Sequence, residues 1–238
     1  FYFDRCRMSD NIALIVGAGP GLSASLAKRF NSAGMKCILA ARNINKLSKL
    51  KSETNSNVYE CDASEPGDVK NLFANVENDF GIPEVVIFNA SQRVRGPITD
   101  INSDEVKFAL LTTCYGGFLV GQEAARLMLK SGKGTIMFTG ASAGVKGFAQ
   151  SATFAMGKFG LRGLAQSMAR ELHPQNIHVV HVIVDGGISS MEKGRVFEGN
   201  EDSLLLPESI ADTYYHLYQQ HRSSWTWEIE VRPWVEKF

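Results

Sequence analysis

Short apolar runs along the chain alternate with longer stretches in which apolar residues recur every three or four positions. The short runs predict strands buried in a sheet, and the longer spacing predicts helices. The predicted strands are Ile12–Val16, Cys37–Ala41, Asn57–Glu60, Val85–Phe88, Thr135–Thr139, Ile177–Val184 and Thr226–Val231. This alternation predicts an α/β fold, a doubly wound parallel sheet of about seven strands with helices on both faces.

The predicted helices fill the stretches between these strands. One of them is a long helical stretch that begins at Ser103 and continues to about Lys130, where Gly132 stops it. No internal repeat, linker or change of composition divides the chain. We therefore expect a single domain over residues 11–238, preceded by an N-terminal extension over residues 1–10.

The composition favours a globular protein that acts on small molecules. Hydrophobic residues make up 44% of the 238 residues, which suffices for a large core. Lys plus Arg and Asp plus Glu balance at 25 each, so the charge does not favour nucleic acid as a partner. The sequence shows neither an apolar run of membrane-spanning length nor the layout of a signal peptide. We expect the scattered cysteines to be free thiols of a cytoplasmic protein: Cys6, Cys37, Cys61 and Cys114.

A glycine-rich turn, Gly17-Ala18-Gly19-Pro20-Gly21, lies between the first predicted strand and the first predicted helix. Glycines allow a sharp turn there and bring the free N–H groups at the helix start close to an anion such as a pyrophosphate. Turns of this kind also serve as plain strand-to-helix connections. The turn alone leaves both interpretations open.

Three segments that follow predicted strands carry a family resemblance. Val16 to Ser23 resembles the pattern T-G-x-x-x-G-x-G with its first Thr and last Gly replaced, Phe88-Asn89-Ala90-Ser91 resembles N-N-A-G, and Asp62-Ala63 matches an acidic pair that contacts adenine. In order and spacing they resemble the short-chain dehydrogenase/reductase family. The resemblance implies a Rossmann fold and a nicotinamide dinucleotide held by Gly17, Gly19, Gly21, Leu22, Asp62, Ala63, Asn89 and Ala90.

Arg42 indicates which dinucleotide the resemblance implies. In the family, an Asp at the end of the second strand accepts hydrogen bonds from the ribose 2′-OH, whereas this chain has Ala41 followed by Arg42. A guanidinium there pairs with a 2′-phosphate, which favours NADP(H) over NAD(H). The alternative is that Arg42 is a solvated charge at a strand end.

The proton-transferring half of the family's site is changed in this chain. Relatives use a Tyr-x-x-x-Lys pair, in which the phenol is the general acid or base and the lysine holds the nicotinamide ribose. The matching segment here runs from Phe154 to Lys158, so the lysine is present and the phenol is not. Phenylalanine has no proton to give. The resemblance therefore implies catalytic and cofactor-binding roles for Lys158 beside a non-standard proton donor.

Three further positions are carried over from the family's pattern. The serine that bonds the substrate oxygen aligns with Ala141 by strict spacing, or with Ser142 after a slip of one residue. The asparagine that anchors a water aligns with Thr113, whose hydroxyl could hold a water in another way. Ile188 stands where relatives contact the carboxamide of the cofactor.

The predicted partners are a small-molecule substrate and copies of this chain. Arg93 and Arg95 follow Asn89 in the loop beside the substrate, where they could clamp a carboxylate or phosphate or be exposed loop charges. The five histidines form no ligand cluster, so no metal site is predicted. Relatives assemble through their long helices, and the resemblance implies a homodimer or homotetramer.

Two functions fit these features. The first is an NADP(H)-dependent oxidoreductase of a small carbonyl or alcohol, with Ser142, Thr153, a water or the substrate itself as the proton donor. The alternative is a catalytically silent NADP-binding protein with a sensing or partner-binding role. Both functions keep the cofactor half of the site, and the fold cannot separate them.

Overall fold

The strands form one parallel sheet. The computed structural model describes residues 11–190, 194–195 and 203–236. The strands are β1 (Ile12–Val16), β2 (Lys36–Ala41), β3 (Asn57–Glu60), β4 (Val85–Phe88), β5 (Gly134–Thr139), β6 (Ile177–Val184) and β7 (Glu228–Val231). Neighbours pair in parallel in the order β3-β2-β1-β4-β5-β6-β7. The predicted doubly wound sheet is confirmed, and its order reverses between β1 and β4, where ligands of such folds bind.

Helices cover both faces of the sheet. They are α1 (Leu22–Ser32), α2 (Ser48–Thr54), α3 (Pro66–Asp79), α4 (Ser103–Leu110), α5 (Gly116–Ser131), α6 (Ala152–Leu172) and α7 (Pro207–Tyr218). On one face, Leu26 of α1 and Tyr214 of α7 share a buried cluster with Ile15 of β1. On the other face, Leu161 of α6 packs in the cluster that contains Leu14 of β1. Side chains of a strand alternate between faces, so the wholly apolar β1 contributes to both cores.

The long helical stretch predicted from Ser103 to about Lys130 contains a π-helical turn at Leu111–Tyr115, between α4 and α5. A π turn inserts one extra residue and leaves the apolar spacing on either side intact, which is why the sequence pattern did not reveal it. Gly117 follows the turn, and a side chain there would collide with Leu161 of α6. The π turn and this glycine together let the helix pack closely against α6.

The last strand is shorter than predicted, because it begins at Glu228 and not at Thr226. The N–H of Thr226 donates to the side-chain oxygen of Gln220 at 2.9 Å. The carbonyl of Thr226 lies 2.9 Å from Nε2 of His178. Side chains therefore satisfy the backbone groups that a longer strand would have used.

Residues 1–10 lie outside the described residues, so the N-terminal extension and the state of Cys6 stay predictions. Cys37 and Cys61 are buried free thiols, as predicted. Burial raises the pKa of each thiol to about 12. Cys114 is a free thiol that is only half-buried. Within the described ranges, no helix has the length and apolar character needed to cross a membrane.

Candidate active site

A cleft of about 620 Å³ opens where the parallel strands end. It is lined by every residue that the resemblance implied for the cofactor: Gly17, Gly19, Gly21, Leu22, Arg42, Asp62, Ala63, Asn89, Ala90, Lys158 and Ile188. Phe154 and Ser142 line the same cleft. The fold therefore brings the candidate cofactor residues together with Lys158, Ser142 and Phe154, while their binding of a cofactor stays a prediction.

The glycine-rich turn is fixed by a close approach of two backbones. Gly17 has φ +84°, and a Cβ at this position would overlap the backbone of Ala90. The N–H groups of Gly17 and Ala18 donate to the carbonyl of Ala40 at 3.0 and 2.9 Å, which ties the turn to β2. Only glycine combines this positive φ with such a close neighbour, so the sharp turn predicted from the glycines is present.

Ser23 supports the turn at the position where the family's pattern has its last glycine. Its hydroxyl donates to the carbonyl of Gly17 at 3.1 Å and accepts from Nδ2 of Asn89 at 2.7 Å. The N–H of Asn89 in turn donates to the carbonyl of Val16 at 2.8 Å. The replacement of glycine by serine thus adds a bridge between the turn and the segment after β4.

Arg42 and Asp62 lie beside the cleft, after β2 and β3. The guanidinium carbon of Arg42 lies 5.5 Å from the ring centroid of Phe108. No carboxylate among the described residues forms an ion pair with Arg42 within 4.0 Å, so its charge is available to an anion. Asp62 accepts hydrogen bonds from the backbone N and the hydroxyl of Ser64 at 3.0 and 2.7 Å, which fixes its carboxylate.

Lys158 is buried at the inner end of the cleft, with only 3% of the residue exposed. Its Nζ donates to the carbonyl of Thr139 at 2.6 Å and lies 5.7 Å from the ring centroid of Phe154. Burial, helped by the charge of Arg93, lowers the pKa of Lys158 to about 7. An amine of this pKa exchanges protons readily near neutral pH.

Of the other two catalytic candidates, Ser142 lines the cleft and Thr113 does not. Ser142 begins a short 3-10 turn, Ser142–Gly144, and both Ser142 and Ala141 line the cleft. Thr113 is buried in the π turn, and its neighbour Thr112 lines the cleft in its place. The hydroxyl of Thr113 accepts from the N–H of Gln92 at 3.0 Å. Its predicted role in holding a water stays a prediction.

Arg195 is a cleft residue that sequence reasoning missed. It pairs in antiparallel fashion with Ser190, and both residues line the cleft. Arg93 lines it too, whereas Arg95 is not among the lining residues. The guanidinium carbon of Arg93 lies 4.0 Å from the ring centroid of Phe154. Burial, together with the charges of Arg95 and Arg195, lowers the pKa of Arg93.

The two histidines of strand β6, His178 and His181, pack against neighbouring side chains. Nδ1 of His181 lies 3.0 Å from the carboxylate of Glu228, and the ring of His178 stacks on Trp225 with the centroids 4.7 Å apart. Burial lowers the pKa of each histidine to about 4, so both rings are neutral at neutral pH. No cluster of three or more His, Cys, Asp or Glu suited to a metal ion occurs within the described ranges.

Sequence similarity decides the family. The model of the family described as short chain dehydrogenase matches residues 11–198 of this chain. The chain belongs to the short-chain dehydrogenase family. Membership in this family points to an oxidoreductase.

The relatives match nearly the whole length of this chain. It is 26% identical over 235 residues to a sepiapterin reductase of Chlorobaculum tepidum, covering 94% of this chain and 96% of that protein. A solved short-chain dehydrogenase from Rhodopseudomonas palustris is 36% identical, with a TM-score of 0.83, over 94% of this chain and 99% of that one. A metagenomic short-chain oxidoreductase solved in complex with NADP is 25% identical, with a TM-score of 0.83, over 96% and 99% of the two chains.

Proposed function

We propose that this short-chain dehydrogenase is an NADP(H)-dependent oxidoreductase of a small carbonyl or alcohol, with a catalytic site that works without a phenol. One observation carries the proposal: a single cleft holds the glycine-rich turn, Arg42 and the buried Lys158. The presence of NADP in the metagenomic relative supports it.

The residues present fit a dinucleotide with a 2′-phosphate. A Cβ at Gly19 or Gly21 would meet no described atom within 4 Å, so the turn leaves open space where a pyrophosphate would approach the backbone. The first N–H groups of α1 lie at this turn and favour an anion. Arg42, which has no carboxylate partner among the described residues, would bind the 2′-phosphate.

The cofactor would supply the hydride, and the remaining chemistry falls to side chains of this chain. Lys158 would hold the ribose and exchange a proton, because its pKa of about 7 matches neutral working conditions. Ser142 would orient the substrate oxygen from the adjacent turn. Phe154, which is 7% exposed, would exclude water from the place that a phenol occupies in relatives.

The substrate in this proposal carries an anionic group. Arg93 and Arg195 both line the cleft, and the charge of Arg195 contributes to lowering the pKa of Arg93. Two cations that line one cleft favour a ligand that carries negative charge. Arg95, which the sequence paired with Arg93, lies outside the lining residues.

A catalytically silent NADP-binding protein is the second candidate, and Phe154 is the observation that favours it. Titration with NADPH and NADH, followed by a screen of carbonyl substrates with the wild type and Phe154→Tyr, separates the two. Turnover by the wild type supports the oxidoreductase. Turnover by Phe154→Tyr alone supports the silent protein. Binding of neither dinucleotide would contradict both.

Self-association, which we also propose, would use an apolar surface formed by α5, α6 and the π turn. Tyr115 and Phe118 are stacked with centroids 6.2 Å apart, and both are about 40% exposed, as is Phe159 at 45%. The mass in solution tests this surface. We expect an oligomer for the wild type and for the loop variant Ile98→Asp, and a monomer for Phe118→Asp.

The predicted cytoplasmic location stays part of the proposal. It is supported by the free thiols of Cys37, Cys61 and Cys114. Fractionation of the source cells tests it directly.

A further inference from the structure

Arg93 occupies the face of the ring that replaces the family's phenol. Its guanidinium carbon lies 4.0 Å from the ring centroid of Phe154, and Nζ of Lys158 lies 5.7 Å from the same centroid. A guanidinium over an aromatic face is attracted by the ring's quadrupole, so the ring holds Arg93 in place. The side chains of Arg93 and Lys158 thus both lie near the ring that stands where relatives keep their proton donor.

A second contact fixes the loop that carries Arg93. The hydroxyl of Thr113 accepts from the N–H of Gln92 at 3.0 Å and lies 3.4 Å from the carbonyl of the same residue. Thr113 is itself 1% exposed, and a Cβ at Gly157 would lie 3.1 Å from its side chain. The residue before Arg93 is therefore tied to the π turn, next to the helix that carries Lys158.

Two departures from the family's catalytic pattern support the same side chain. Phe154 stands at the position of the tyrosine and stacks on Arg93, and Thr113 stands at the position of the asparagine and anchors the preceding residue. Arg93 forms no ion pair within 4.0 Å with a carboxylate of the described residues, and it lines the cleft. Its N–H donors are available to a ligand.

We propose that Arg93 is a catalytic residue that binds the reacting oxygen of the substrate, in place of the absent phenol, and that Phe154 and Thr113 are its positioning residues. This inference rests on the proposed function. This role of Arg93 differs from the binding of a remote anionic group, because the guanidinium donates hydrogen bonds to the oxygen whose charge changes during the reaction.

A reduced nicotinamide, when bound, would supply the hydride that forms the new C–H bond at the carbonyl carbon and would itself be oxidised, while the π electrons of the C=O bond would move to the oxygen. N–H groups of Arg93 stabilise that oxygen while the ammonium of Lys158 gives it a proton. Solvent then returns a proton to Lys158. Arg93 keeps its own protons throughout, since a guanidinium does not titrate in this range.

The test compares Arg93→Met with Arg126→Met, a matched change of an exposed arginine on α5 that lies outside the cleft. Each variant is titrated with NADPH and then assayed on neutral and on carboxylate-bearing carbonyl substrates. Loss of an oxyanion donor costs about 100- to 1000-fold in kcat. We expect that loss for Arg93→Met on both substrate classes, with NADPH affinity within about threefold of wild type, and no change for Arg126→Met.

A remote anion-binding role predicts a different pattern, namely a raised KM confined to the carboxylate-bearing substrates. That pattern, or wild-type kcat in Arg93→Met, would overturn the inference and leave the proposed function standing. Absence of turnover in the wild type would contradict both the role of Arg93 and the proposed oxidoreductase function. NADPH binding that is lost in Arg93→Met would place Arg93 in the cofactor site and would likewise overturn it.

Two further experiments test the roles of Arg93 and Thr113 separately: adding guanidinium ions and removing the hydroxyl of Thr113. We expect guanidinium chloride at low millimolar concentration to restore part of the kcat of Arg93→Ala, which a structural role would not allow. Thr113→Val removes the anchor but keeps the shape, and we expect a lower kcat with unchanged KM and NADPH affinity. Rescue absent in Arg93→Ala, or wild-type kcat in Thr113→Val, would contradict the respective role.

Discussion

The Nζ of Lys158 donates a 2.6 Å hydrogen bond to the backbone carbonyl of Thr139, and no carboxylate of the described residues forms an ion pair with it within 4.0 Å. Burial and the neighbouring Arg93 lower the pKa of Lys158 from 10.5 to about 7. Between these values the unfolded chain carries the proton and the folded chain releases it. The free energy of unfolding must therefore rise with pH through this window.

Lys158→Met should remove that pH dependence. We expect the stability of the variant relative to wild type to be greatest at or below pH 7 and to shrink as the pH rises towards 10.5. Denaturant unfolding at about pH 7 and pH 8.5 measures the effect. The thiols of Cys37 and Cys61, which titrate in the unfolded chain near pH 8.5, contribute equally to wild type and variant. The matched variant is Lys49→Met, whose side chain is 90% exposed. Equal slopes for wild type and Lys158→Met would contradict a buried lysine of lowered pKa.

Arg42→Leu should change which dinucleotide binds. A charge-assisted hydrogen bond contributes about 1.5–3 kcal/mol, so we expect NADPH affinity to fall by about 10- to 100-fold and NADH affinity to stay the same. Fluorescence titration with both dinucleotides measures the change. Arg170→Leu, on α6, is the control for loss of a positive charge. An equal loss of affinity for NADPH and NADH would show that Arg42 does not contact a 2′-phosphate.

Gly17→Ala should destabilise the fold and abolish binding of the cofactor. The position has φ +84°, and the added methyl would overlap the backbone of Ala90. We expect a loss of at least about 1–3 kcal/mol in the free energy of unfolding. Gly163→Ala is the control, because Gly163 lies within α6 and its Cβ would meet no described atom within 4 Å. That change should stabilise the protein by about 0.5–1 kcal/mol. Two equal effects would contradict the account of the turn.

His178→Phe should make the protein more resistant to acid. The pKa of His178 is lowered from 6.5 to about 4. Between these two pH values the side chain is protonated in the unfolded chain and neutral in the folded chain. Wild-type stability then falls as the pH drops through this range, by about 1.4 kcal/mol per pH unit for each such group. Phenylalanine keeps the stack on Trp225. We expect a shallower slope from pH 6.5 to 4 and a pH-independent difference above pH 7.

The sheet, and the meeting of the glycine-rich turn with Arg42 and Asp62 in one cleft, could be predicted because their signals are local. The apolar runs in the sequence predict the strands. At Gly17 the backbone of Ala90 approaches so closely that only glycine fits, and this glycine is visible in the sequence. Arg42 follows directly from its place after β2. In a parallel sheet, residues at the carboxyl ends of neighbouring strands converge, so the motifs had to meet in one cleft.

The contacts around Phe154 and Thr113 could not be predicted, because they join segments that are far apart in sequence. The apolar spacing is the same with or without the π turn, so the sequence could not show that Thr113 lies in such a turn. Its hydrogen bonds to Gln92 and the stacking of Arg93 on Phe154 arise only after folding. Arg195 reaches the cleft through its pairing with Ser190, which no sequence pattern signals.

The transfer of deuterium from NADPH labelled at C4 to a carbonyl substrate measures whether this protein catalyses hydride transfer without a phenol. The wild-type enzyme, with Phe154 in place, should yield an alcohol that is heavier by one mass unit, because the hydride reaches the carbonyl carbon without a phenol. A wild-type protein that binds NADPH but forms no labelled alcohol, while Phe154→Tyr does, would contradict it.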